Sequence, residues 1–109
     1  MALMDYARAL VEHAQWTRWR KGMVDDAGCV CSVDGIKMGK ARLPDINHPA
    51  TKGWLLHMLR EATGTQDACA TWLGGEWRLY GWIGASALGR FATEGEALAA
   101  ALLAVWGPA

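Results

Sequence analysis

Cys29-Val30-Cys31, Cys69, His48 and His57 are the residues whose types could hold a metal ion. Structural zinc sites space paired cysteines by about two to four residues. A single intervening residue is tight for that pattern, and no second cysteine pair follows. The cysteines therefore read as small buried hydrophobes, and no metal is expected. A cysteine beside a histidine could instead supply a nucleophile and its base. No orienting Asn or Asp stands in a recognisable local motif, His13 and His57 fall inside helical patterns, and His48 stands at a helix start. Carboxylates come together only at Asp25-Asp26, in a turn pattern, and at Glu94 and Glu96, in a helical first turn; turn chemistry and the helix dipole account for both. "GKARLPD" lacks the glycine spacing of a phosphate loop, and Gly81, Gly84 and Gly89 form no nucleotide fingerprint. The expectation is a protein that is not an enzyme and carries no cofactor.

Binding chemistry is better represented. The 109 residues hold seven tryptophans, three of them in "TWLGGEWRLYGW" at 71–82. Arg78, Tyr80 and Trp82 in that stretch are residue types that anchor protein interfaces. A second cluster, Trp16-Thr17-Arg18-Trp19-Arg20-Lys21, interleaves aromatic and basic residues. Trp16, Arg18, Trp19 and Arg20 could stack on and clamp a nucleotide or another small ligand. The same pattern also suits a helix end whose tryptophans anchor the core while the basic residues stay in water.

The elements that must position these residues follow from periodicity. Leu3, Tyr6, Ala7, Leu10, Val11 and Ala14 make one helical stripe over residues 2–15. "DDAG" between "GMV" and "CVCSV" reads as a hairpin turn, with Cys29, Cys31 and Val33 on one face. A second helix starts at Asn47 or His48 with Pro49 in its first turn and ends at Gly64. Its buried stripe is Leu55, Met58, Leu59 and Ala62, and Gly53 inside it suggests close approach to a neighbour.

The two-residue loop Gly74-Gly75 is a strong hairpin signal. It pairs Trp72 with Trp77 and Leu73 with Glu76. Ala68, Ala70, Trp72, Trp77, Leu79, Gly81 and Ile83 then share an apolar core face. Cys69, Thr71, Leu73, Glu76, Arg78, Tyr80 and Trp82 share the other. Thr93 and Glu96 form a capping-box pattern for a last helix, closed by Gly107-Pro108, with Leu98, Ala101, Leu102 and Val105 facing inward. Leu103 and Trp106 extend its apolar surface, where a second copy could dock to form a homodimer.

The order is α-ββ-α-ββ-α over a single globular domain, residues 1–109. That is an α+β fold with a mostly antiparallel, short-stranded sheet and helices packed on it. Helices on both faces would make a three-layer α/β/α sandwich and would cover Tyr80 and Trp82.

Composition narrows the classes further. Eleven basic and eleven acidic residues cancel, which argues against a general nucleic-acid binder. Residues 1–60 hold nine basic against six acidic, and the basic ones gather at Arg18, Arg20, Lys21, Lys37, Lys40 and Arg42. An odd number of cysteines fits a reducing compartment. No apolar run is long enough to span a membrane, and the first residues do not have the form of a signal peptide, so a cytoplasmic protein is expected.

"LPDINHPATKGWLLHMLREATG", "GGEWRLYGW" and "ATEGEALAAALLAVWG", about half the chain, resemble small proteins of tailed phages and prophages, including the phage ABA sandwich domain group. Asn47-His48-Pro49 departs from the acidic helix start of that group. The resemblance implies an α/β/α sandwich and a phage or mobile-element origin, and it implies no catalytic residues. Proteins of this kind are often accessory, and some small phage proteins block host defence. The function expected is a non-catalytic binding protein that inhibits a host protein such as a CRISPR-type component. The alternatives are a module that sequesters a small ligand or nucleotide, and a self-associating virion protein.

Overall fold

The computed structural model describes residues 3–32 and 42–108. Helix α1, Leu3–Glu12, stops earlier than its apolar stripe suggests. His13 ends it: its Nδ1 accepts the Gln15 N–H at 3.0 Å, so the ring proton sits on Nε2 and donates to the Gly107 carbonyl at 2.8 Å. One buried imidazole thus ties the end of α1 to the end of the last helix.

Helix α2, Pro49–Thr63, is capped by His48, whose Nδ1 accepts the Ala50 N–H, and closes at Gly64 in the left-handed conformation. Thr51, Leu55, Met58 and Leu59 are its buried residues; Ala62, expected among them, is exposed. Gly53 is open to solvent, with nothing near the position a Cβ would take, so close approach does not explain it.

Strands β1, Cys69–Leu73, and β2, Glu76–Tyr80, pair antiparallel in the register set by the glycine loop: Leu73 opposite Glu76, Trp72 opposite Trp77, Ala70 opposite Leu79. Gly74 and Gly75 both have positive φ, as the tight two-residue turn demands. A short strand β3, Arg90–Phe91, follows the single turn of 3-10 helix at Ala85–Leu88 and completes the sheet in the order β1-β2-β3. Helix α3, Glu94–Trp106, begins at Thr93, whose Oγ1 accepts the Glu96 N–H and donates to the Glu96 carboxylate, both at 3.2 Å.

The fold is therefore α+β, with three helices and a three-stranded antiparallel sheet in the order α-α-ββ-β-α. The expected first hairpin forms its turn, with the Asp25 N–H donating to the Cys29 carbonyl, the Cys31 N–H to the Met23 carbonyl and the Gly22 N–H to the Cys31 carbonyl, but among the described residues it does not extend into a pair of strands. Val24 bridges Val30 and Asp25 bridges Pro44, each in isolation. Other backbone groups of the same segment bond to more distant parts of the chain. The Val24 N–H goes to Thr51 Oγ1, the Asp26 N–H to the Leu43 carbonyl, and the Asp45 N–H to the Val24 carbonyl. Cys29 is exposed and Cys31 buried, so the two do not share a face; Val33, Lys37 and Lys40 lie outside the described residues.

Helix α3 is the hub. It packs on the sheet, and α1 and α2 pack on it. Gly95, Ala97, Leu98, Ala99, Ala101 and Leu102 are buried, which covers most of its circumference and explains the run of small residues. The other sheet face departs from the three-layer expectation. Thr71, Leu73 and Tyr80 on it are exposed, and among the described residues no α-helix covers them.

Candidate functional site

The open sheet face is built by strand alternation. Leu73, Glu76, Arg78 and Tyr80 point away from α3, because Leu79 between them is sealed beneath the sheet. Leu73 is 50% exposed and Tyr80 39%. Glu76 Oε2 stands 3.3 Å from Arg78 and 3.2 Å from Arg90 Nε, so one carboxylate holds two guanidinium groups beside the apolar pair. Arg90 lies directly opposite Arg78 across the β2–β3 pairing. Without Glu76 these like charges would oppose each other on neighbouring strands. The pair surrounds a cleft of 210 Å³ lined by Arg78, Leu79, Tyr80, Ser86, Gly89 and Arg90. The result is a surface with a net positive charge flanked by an aromatic and an aliphatic side chain.

Trp82 does not join that surface. Strand β2 ends at Tyr80, and Gly81 turns the chain against the backbone of Asp67; a Cβ on Gly81 would sit 2.0 Å from the Asp67 carbonyl oxygen. Trp82 is half-buried against the core and lines a separate groove of 640 Å³ with Thr63, Leu88, Ala104 and Val105. The structure thus brings Arg78 and Tyr80 together and separates Trp82 from them. Ile83, expected in the core, is fully exposed, since the strand alternation that placed it there stops three residues earlier.

The tryptophan pair of the hairpin also divides. Trp72 and Trp77 meet edge to face at 5.6 Å, as a cross-strand pair should. Trp77 packs on the core, but Trp72 is 55% exposed and is not a core residue. It lies on the outer strand of the sheet, one residue before the pair that flanks the glycine turn.

The second sequence cluster is structural. Trp16 is buried and Trp19 is 2% exposed, and the two rings meet edge to face at 5.9 Å inside the core. Sealed rings offer no stacking face, so Trp16, Arg18, Trp19 and Arg20 do not make the ligand clamp their spacing suggests. Arg18 is exposed, while the Arg20 guanidinium lies 5.3 Å over the ring of Trp54. Trp54 in turn donates its Nε1–H to the Lys21 carbonyl at 2.8 Å.

The other chemistry-bearing residues have structural duties as well. Asp25 is fully buried; its Oδ1 accepts the N–H groups of Ala27 and Cys29, which fixes the turn, and its Oδ2 faces Arg42 Nε at 3.6 Å. Glu94 pairs with Lys52 at 3.5 Å and ties the starts of α2 and α3 together. Among the described residues no three His, Cys, Asp or Glu side chains converge as a metal site would require. Leu103 and Trp106 do not form the expected outward patch: both pack on the core, and Trp106 lies against His13 at 5.1 Å.

The residues that sequence reasoning missed are Trp72 as a surface residue, Arg90 and Ile83. The signals for Arg90 and Ile83 were the flanking glycines at 81, 84 and 89, which end the strand and return the chain along β2. Among the described residues, no helix is long and apolar enough to cross a membrane. Comparison with protein-family models, curated proteins and solved structures gave no match for this chain.

Proposed function

We propose that this protein is a non-catalytic accessory protein of phage or prophage origin that binds a host protein through the open face of its sheet. The observation that carries the reading is the placing of exposed Leu73, Tyr80 and Arg90 with half-buried Arg78 on one sheet face that no described α-helix covers. Aromatic and arginine side chains fixed in this way are the usual anchors of an interface, and the Glu76 clamp lowers the entropy lost on docking. The net positive charge fits a partner patch with carboxylates. The phage assignment rests on the resemblance of residues 43–64, 74–82 and 92–107, and the partner in this reading is a cytoplasmic defence component of CRISPR type.

The test is plating efficiency of a targeted phage on cells carrying an active CRISPR-type system. Wild type is expected to raise plating by orders of magnitude, and Arg78→Ala with Tyr80→Ala to abolish the rise while the purified variant keeps its helical circular dichroism. Undiminished protection by a folded double variant would remove the open face from the mechanism.

A further inference from the structure

We propose that two copies of the chain associate edge to edge through β1, giving a continuous six-stranded antiparallel sheet with a two-fold axis at Thr71. The proposal stands on the geometry of the edge and does not rest on the host-protein reading.

In the order β1-β2-β3, β1 is an edge strand among the described residues, and the described elements packed against it are β2 and α3. A two-residue loop makes its flanking residues, Leu73 and Glu76, a hydrogen-bonded pair. The alternation then directs the backbone groups of Cys69, Thr71 and Leu73 toward β2. Ala70 and Trp72 direct their N–H and C=O groups outward, and the hydrogen bonds of the described residues leave those groups unused.

Natural edge strands are blunted by charge, proline, a bulge or shortness. Strand β3 follows the rule, with two residues and Arg90. Strand β1 does not. Its sequence, CATWL, contains no charge and no proline, and its register with β2 runs through all five residues without a bulge.

The strand is also self-complementary. An antiparallel partner centred on Thr71 sets Ala70 opposite Trp72 of the partner subunit, and Trp72 opposite Ala70 of the partner subunit. These become the hydrogen-bonded pairs, so all four outward groups on each chain find partners with no shift of the strand. On the α3 side, the row Trp77–Trp72 continues onto the partner subunit's Ala70 and the partner subunit's Leu79. A large exposed indole therefore lies over a small residue, and the apolar surface of Trp72 is covered. At the axis, the two Thr71 residues form a non-hydrogen-bonded pair, with Cα atoms about 4.5 Å apart. A heterologous peptide strand could use the same edge, but only a second copy supplies this matched small-against-large row from the chain's own sequence.

Sedimentation velocity at high micromolar concentration tests the state, and disulfide trapping tests the register. Wild type is expected to sediment at twice the monomer mass. Thr71→Glu, which faces Arg78 within the chain and another Glu across the axis, is expected to be a folded monomer. In a Cys29→Ser, Cys69→Ser background, Thr71→Cys is expected to give an inter-chain disulfide under mild oxidation, because about 4.5 Å falls within the Cα range a disulfide spans. Leu73→Cys, placed two residues from the axis on both chains, is expected to give none. A wild type that stays monomeric overturns the proposal. So does a Thr71→Glu protein that remains dimeric, or trapping at position 73 in preference to 71.

Discussion

Tyr6 reports on the seam between α1 and the sheet. Its ring meets Phe91 at 6.5 Å, and its phenol is raised above the ordinary value of 10.0, first by burial and second by the Glu96 carboxylate. Both causes disfavour the phenolate in the folded protein. The native state therefore holds this proton more tightly than the unfolded chain. The contribution is fully present below pH 10 and is lost as pH rises through the folded value. Tyr6→Phe is expected to lose less stability than wild type as urea denaturation is moved from neutral pH to above pH 10. Parallel losses in the two proteins would show that Tyr6 is not the group responsible. Other residues act by position rather than by titration. Thr51, wholly buried, accepts the Val24 N–H at 3.0 Å and returns its proton to the Val24 carbonyl at 3.3 Å, so a single hydroxyl docks the 22–31 segment on α2. Nothing local in the sequence marks that contact, which joins residues 27 positions apart.

At the scale of elements, α2 carries a removable cost. Gly53 is exposed within the helix and has free space where a Cβ would go. Gly53→Ala is expected to stabilise the protein by about 1 kcal/mol and to raise Tm by roughly 4–8 °C in calorimetry. A lower Tm would show that Gly53 serves the neighbouring surface of Pro49, Trp54 and His57. The helices and the β1–β2 register were legible because their signals are local: Pro49 and His48 at a start, Gly64 at an end, Thr93 with Glu96, and glycines at 74 and 75 between alternating residues. Strand β3 and the limit of β2 were not legible, because both depend on Gly81 turning against the backbone of Asp67. The first hairpin was legible as a turn and not in its extent. Beyond the turn, the Val24 and Asp26 N–H groups donate to Thr51 and Leu43 and the Val24 carbonyl accepts from Asp45, and that return of the chain leaves no periodic trace.

At the scale of the molecule, the sequence distinguished two aromatic clusters without showing which was buried. Both carry tryptophan and arginine. The difference is layer geometry. Trp16 and Trp19 lie in the core that surrounds α3, whereas the sheet turns one face onto α3 and leaves Thr71, Leu73 and Tyr80 of its other face exposed. The central claim is that the hairpin, and not the 16–20 segment, is the presenting surface. Hydroxyl-radical footprinting of the dilute wild-type protein, read residue by residue by mass spectrometry, tests it most directly. Rapid oxidation of Tyr80 and Leu73 with protection of Trp16 and Trp19 is the predicted result. Protected Tyr80 and Leu73 beside rapidly oxidised Trp16 and Trp19 would contradict it and return the site to the basic segment.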